Sequence, residues 1–322
     1  MLTAVGLGAL LFGCGSGDGP SGGATTHRAE PKIVVSHAIL GSVVTELVGD
    51  RADVSVLMGS GIDPHDYRPS ARDAAAISSA DLVVLNGLGL EESLNDAVAA
   101  AQDRGVKVFR ATDHIDLRYF GKGELSASEA DDHSSVDDHG SAEEYGAGAP
   151  DPHFWVDPLS MKQVVLALAT TLQADLGLDV NAKASELGRQ LDDLDGQIRS
   201  ILEVVPPDQR LLVTGHESMG YFASRYGFVL VGAVIPSGTS QAAPSASGLA
   251  ELNEKIRRLG VRAVFTEIGT PPDVASAVAT ETGARLVELS THTVPADGSY
   301  QTFMVELARA VASGLEDTSE LR

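Results

Sequence analysis

The chain has 322 residues, 43% of them hydrophobic, enough for two packed domains. Its formal net charge is -22, with 45 acidic against 23 basic residues, which excludes binding to nucleic acid or anionic lipid through the overall field. A single cysteine, Cys14, excludes a disulfide framework and a zinc site built of thiolates.

In chain order, residues 1–13 read MLTAVGLGALLFG, an apolar run too short to span a bilayer. Such a run is the core of a secretory signal rather than a structural element. LFGC resembles the lipobox of bacterial lipoproteins, which makes Cys14 the expected lipidation site and new N-terminus. The segment departs from that pattern in having a bulky Phe12 and no basic residue before the apolar run. The expectation is an extracytoplasmic protein, lipid-anchored at the cell membrane or periplasmic. Residues 14–31 are Gly- and Ser-rich without apolar periodicity and read as a flexible tether.

Residues 32–180 carry the first strand–helix alternation. KIVVSH, DVSVLM, DLVVLNG and VKVFRA read as strands, separated by helical patterns such as AILGSVVTELVGD and EESLNDAVAAAQ. The pattern fails over residues 121–150, an acidic, polar loop holding His133 and His139. Helical spacing returns at residues 158–178 and 181–205. The second of these spaces Leu187, Leu191, Leu194, Ile198 and Ile201 at threes and fours. At 1.5 Å per residue it would run on the order of 35 Å, a strut between two lobes. Residues 206–322 repeat the rhythm with strands at RLLVTG, FVLVGAVI, RAVFTE and ARLVEL, and YQTFMVELARAVASGL closes the chain as a helix. The fold expected is α/β: two similar (β/α)4-like lobes, each with a mostly parallel sheet, joined by one long rigid helix.

Three of the nine histidines sit in unusually specific surroundings. His65 lies in GIDPHDYRPS, His153 in DPHFWVDP and His216 in VTGHESMGYFASRYGF. Asp-Pro before His65 and His153 predicts rigid turns, and the second Asp-Pro predicts a helix starting at Pro158. The loop is expected to hold His153 out toward a ligand. Ligands of α/β sheets bind beyond the carboxyl ends of the strands, where such loops lie. Imidazole is a favoured zinc donor, and ligands spread over the whole chain point to an ion held between lobes rather than to a compact zinc module. Asp297 in PADGSYQTFM is the best candidate for a fourth ligand, with His292, Glu217 and Glu267 as rivals. His114 reads as a surface residue and His37 as a core residue.

The ordered motifs DPHDYRPS, DPHFWVDP, GHESMGYFASRYGF and DGSYQTFM resemble those of the cluster A-I solute-binding proteins of bacterial metal ABC importers, over about residues 32–315. The resemblance implies two lobes bridged by a long helix, with a metal in the cleft and no catalysis. It maps the ligands onto His65, His153 and His216, and a fourth carboxylate onto Asp297, one residue earlier than in many relatives. His216 stands where manganese-binding members often carry a carboxylate, which favours Zn2+ as the transported ligand. His133 and His139 would be auxiliary metal-collecting residues. The implied partner is an ABC membrane permease. A zinc chaperone that loads the protein is left open, and a monomer is expected. The alternatives are a manganese-binding homologue, an adhesin of the same family, and a zinc hydrolase with Glu217 as general base. The last lacks a compact hydrolase signature such as H-E-x-x-H.

Overall fold

The computed structural model describes residues 30–121 and 148–316. Cys14, the tether up to residue 29, and His133 and His139 of the acidic loop lie outside the described residues.

The first lobe alternates β1 (Lys32–His37), α1 (Ala38–Val48), β2 (Asp53–Met58), α2 (Ala71–Ser78), β3 (Leu82–Leu85), α3 (Asn95–Gln102) and β4 (Lys107–Arg110). Its four strands are all parallel in the order β2-β1-β3-β4. The second lobe repeats this with β5 (Leu211–Thr214), α6 (Gly220–Tyr226), β6 (Val229–Ala233), α7 (Ala246–Leu259), β7 (Ala263–Thr266), α8 (Pro272–Thr282), β8 (Arg285–Glu288) and the terminal α9 (Tyr300–Leu315). The order β6-β5-β7-β8 is the same arrangement, again fully parallel. The α/β two-lobe architecture read from the strand–helix rhythm is therefore present. In both sheets the chain reverses its direction of winding beside the first strand. That switch point opens a crevice at the carboxyl ends of β1 and β5.

The burial of each strand follows its place in the sheet. Central β3 is buried at every residue, whereas edge strand β8 alternates between half-buried and exposed. Each sheet has one private core. Val34, Met58, Ile77 and Val98 fill that of the first lobe, and Val213, Leu252, Val264 and Val278 that of the second. The opposite faces share one continuous core, running from Ile33 and Leu40 through Trp155 and Leu191 to Phe265 and Leu307. The lobes are thus joined by packing as well as by the chain.

Two helices build that junction. α4 (Pro158–Thr171) opens on Asp157, whose carboxylate accepts from the Leu159 N–H at 3.0 Å. The apolar pattern runs to residue 178, but regular α-helix stops at Thr171. One wider turn follows, and Gly177 at φ 67° ends it in the left-handed conformation. α5 (Asn181–Leu202) spans about 33 Å at 1.5 Å per residue. It buries Leu187, Leu191, Leu194, Ile198 and Leu202 against α4 and α9. No described helix is long and apolar enough to cross a membrane.

Candidate metal centre

The two Asp-Pro-His stretches fold into the same local device. In each, the aspartate side chain accepts from the backbone N–H of the histidine two residues on, Asp63 from His65 at 3.0 Å and Asp151 from His153 at 2.9 Å. Proline fixes the residue between, so the imidazole leaves the turn in one direction. His65 follows β2, His153 precedes α4, and His216 lies just past the end of β5. The structure brings the three together. His153 Nε2 lies 3.2 Å from His65 Nε2 and 3.3 Å from His216 Nε2, and all three candidate ligand atoms fall within 4.8 Å of one another. Donors of a tetrahedral zinc with Zn–N of about 2.0–2.1 Å sit about 3.3 Å apart, so the spacing fits one shared ion. His153 and His216 are 0% exposed, so the loop turns His153 inward rather than holding it out. His65 is half-buried and faces a cavity of about 580 Å³ lined also by Arg68, Ser93 and Thr239.

Carboxylates stand behind the rings. Asp151 Oδ1 lies 2.8 Å from His153 Nδ1, and a carboxylate only accepts, so the proton sits on Nδ1 and the Nε2 lone pair faces the cluster. Glu267 Oε1 lies 3.1 Å from His216 Nδ1 without the alignment of a hydrogen bond. Glu267 also accepts from Ser218 Oγ at 2.6 Å and Thr291 Oγ1 at 2.5 Å, which locks it in place. Burial works against a charged His216, but the Glu267 carboxylate outweighs it and raises the pKa of this ring. Burial likewise opposes ionisation of Glu267, and the neighbouring His216 and His292 reverse this and hold its pKa low. His65 is pushed well below its usual value by burial and then by the rings of His153, His216 and His292.

Asp297, expected as the fourth ligand, is not in the cluster. It is exposed, and its carboxylate is spent at the start of α9, accepting from the Ser299 N–H at 3.0 Å and Thr302 Oγ1 at 2.7 Å. The turn that places it there, with Gly298 at φ 71°, aims it at the helix N-terminus and away from the histidines. His292, the rival candidate, lies beside the three-histidine cluster instead. This buried ring follows β8, stacks 6.4 Å from His216 at an interplanar angle of 19°, and lies 5.5 Å from Trp155. Its Nδ1 is 3.0 Å from Thr291 Oγ1, and its Nε2 is buried with no hydrogen-bond partner. Burial, only partly opposed by Glu267, lowers its pKa to about 3, so the ring is neutral and able to donate a lone pair. Glu217 is buried beside His216 but does not belong to the ligand cluster. His37 is a core residue that caps α1, its Nδ1 accepting from the Leu40 N–H, and His114 is exposed and stacks on Phe109 at 4.5 Å. The outer carboxylates Asp63 and Asp151 escaped the sequence reading as chemistry, although the repeated Asp-Pro-His was their signal.

The match to known proteins covers nearly all the described chain. A high-affinity zinc uptake system protein ZnuA from Bacillus subtilis (strain 168) is 30% identical over 288 residues, 88% of this chain and 84% of that protein. A manganese-binding lipoprotein MntA from Halalkalibacterium halodurans is 28% identical over 294 residues, 90% of this chain and 88% of its own length. Among solved structures, the periplasmic zinc-binding protein TroA from Treponema pallidum superposes with a TM-score of 0.72 at 24% identity, covering 89% of this chain and 100% of that one, and shares the fold. The model of the family described as ZnuA, zinc-uptake complex component A, periplasmic, matches residues 33–314, and the chain belongs to that family.

Proposed function

We propose that the protein captures a zinc ion between its lobes and delivers it to the membrane permease of an ABC importer. The observation that carries this reading is the convergence of three imidazole Nε2 atoms from three separate loops, two of them 0% exposed. His292 is the fourth donor in this reading. A buried nitrogen without a partner costs about 1–3 kcal/mol, which a metal bond recovers. Four imidazoles suit zinc, whereas manganese prefers carboxylate, carbonyl and water oxygen. The 28% identity to a manganese-binding lipoprotein makes manganese the competing cargo. A filled set of four protein donors leaves no position for an activated water, which supports a carrier rather than a hydrolase. Cys14 is the lipid attachment point in this reading, and residues 32–180 and 206–322 act as the two lobes that grip the ion.

Metal competition tests the proposal. The stripped protein is offered equimolar Zn2+ and Mn2+, dialysed, and its metal counted by mass spectrometry. One zinc per chain with almost no manganese is expected. Retained manganese overturns the zinc assignment, and an empty protein overturns the metal site.

A further inference from the structure

Behind His153 the structure holds a residue that no motif draws attention to. Arg118 lies on the short ladder that closes the base of the acidic loop, where the Asp151 N–H donates to the Arg118 carbonyl at 2.8 Å. Its Nη1 donates to Asp151 Oδ2 at 2.9 Å, while the other oxygen of the same carboxylate holds His153 Nδ1 at 2.8 Å. Asp151 is 0% exposed, and the Arg118 side chain only 13%. The guanidinium is gripped from the second lobe as well. Its Nε donates to Ser224 Oγ at 3.3 Å, and the Arg118 N–H donates to Tyr221 Oη at 3.0 Å, both partners being on α6. α6 begins on Gly220, and the pair lies against its bare backbone. A Cβ at Gly220 would come within 2.5 Å of both Arg118 Cζ and Asp151 Oδ2, closer than real atoms approach.

We propose that Arg118 is a positioning residue for metal binding: seated on Gly220 and Ser224, it fixes Asp151 so that His153 is held with its Nε2 lone pair toward the ion. The proposal rests on His153 being a metal ligand. The physical logic is that a carboxylate orients a ring only as well as it is itself oriented. Arg118 occupies one oxygen of Asp151 so that the other stays on the backbone N–H and the ring of His153. Removing outer partners of this kind typically costs about 10–100-fold in metal affinity. Because Arg118 touches both lobes, it also ties the ring of His153 to the helix that follows His216.

The test compares Arg118→Met, Arg118→Lys and Gly220→Ala in the full chain, with zinc affinity measured by competition against a chelating dye. Arg118→Met should weaken zinc about 10–100-fold with the metal-free fold intact by circular dichroism. Arg118→Lys should recover part of this, since one ammonium can meet Asp151 but not Ser224 as well. Gly220→Ala should weaken zinc as well, because the added methyl collides with both Arg118 and Asp151. Nitrogen NMR of the metal-free protein should show the His153 proton on Nδ1 in the wild type and shared between both nitrogens in Arg118→Met. Unchanged zinc affinity, or lost affinity with an unchanged ring signature, overturns the proposal. If Arg118→Met does not fold, the same two readouts on Arg118→Lys decide. A wild-type protein that holds no zinc defeats the functional reading instead, and the ring signature still judges Arg118.

Discussion

His292 and Asp297 stand close in sequence, and their surroundings separate them. The carboxylate of Asp297 is consumed by the Ser299 N–H and the Thr302 hydroxyl, whereas the Nε2 of His292 is buried and unpartnered beside His216. Zinc titration of His292→Ala and Asp297→Ala should therefore show loss in the first and near-wild-type affinity in the second. Structural zinc binding of about 10–16 kcal/mol spread over four ligands gives about 3 kcal/mol for each, or roughly 100-fold. The same loss is expected for His65→Ala, His153→Ala and His216→Ala. A second residue, His37, acts on stability rather than on metal. Burial lowers its pKa from 6.5 to about 4, with the neighbouring Asn86 side chain opposing the shift. Above pH 6.5 both folded and unfolded chains carry it neutral. As pH falls from 6.5 to about 4 the unfolded chain takes up the proton and the fold does not. Stability then drops by about 1.4 kcal/mol per pH unit, about 3 kcal/mol in all. His37→Asn, which keeps a capping side chain for α1, should flatten that part of the stability–pH curve in denaturant titrations. An unchanged slope would remove His37 from the account.

At the scale of elements, the stretch DPHFWVDP does more than present a histidine. Its second aspartate, Asp157, caps α4 through the Leu159 N–H, accepts from Ser160 Oγ at 2.9 Å, and takes a two-pronged ion pair from Arg225 of α6 at 2.9 and 2.8 Å. Its tryptophan, 1% exposed, donates to the Thr291 carbonyl at 2.9 Å, and its own carbonyl accepts from Tyr300 Oη at 2.8 Å. One loop thus fixes a helix start, the His153 ring and the segment carrying His292. Asp157→Ala removes a cap worth about 1 kcal/mol and leaves the half-buried Arg225 without its partner, so a total loss of about 2–4 kcal/mol is expected in thermal unfolding. The helix start at Pro158 was legible because Asp-Pro is a local signal. The ties to Thr291, Tyr300 and Arg225 were not, because those partners lie 68 to 145 residues away in sequence.

For the whole molecule, the junction between lobes is stitched beside the histidine cluster as well as packed behind it. Ser60 Oγ accepts from the Val294 N–H at 2.9 Å and donates to the Val294 carbonyl at 3.2 Å, and the Gly61 N–H donates to the His292 carbonyl at 3.0 Å. Ser240 Oγ of the second lobe donates to Asp63 Oδ2 at 2.5 Å, reaching the turn that carries His65. If the lobes open to release an ion, as the proposed function requires, these contacts must break with it. Ser60→Ala removes hydrogen bonds worth about 1 kcal/mol net, so zinc should leave a few-fold faster in stopped-flow measurements with little change in melting temperature. An unchanged release rate would show that the stitch does not resist opening.

Local physics determined much of this protein directly from its sequence. Alternating apolar runs and helical spacings set two α/β lobes and a long joining helix, and Asp-Pro-His set two rigid turns whose imidazoles leave in a defined direction. Three histidines were legible as a set because their local frames were distinctive. Tertiary structure alone decided the rest. It buried His292 beside the histidine cluster and left Asp297 exposed, since Trp155, Gly61 and Ser60 of the first lobe hold the loop after β8 around residues 291 to 294, short of Asp297. It put Asp151 and Glu267 behind the rings and Arg118 behind Asp151, contacts that span up to 51 residues of chain and leave no periodic trace. Secondary structure follows from near neighbours. Which polar atoms share a buried site is settled only when distant loops close on one another and exclude water.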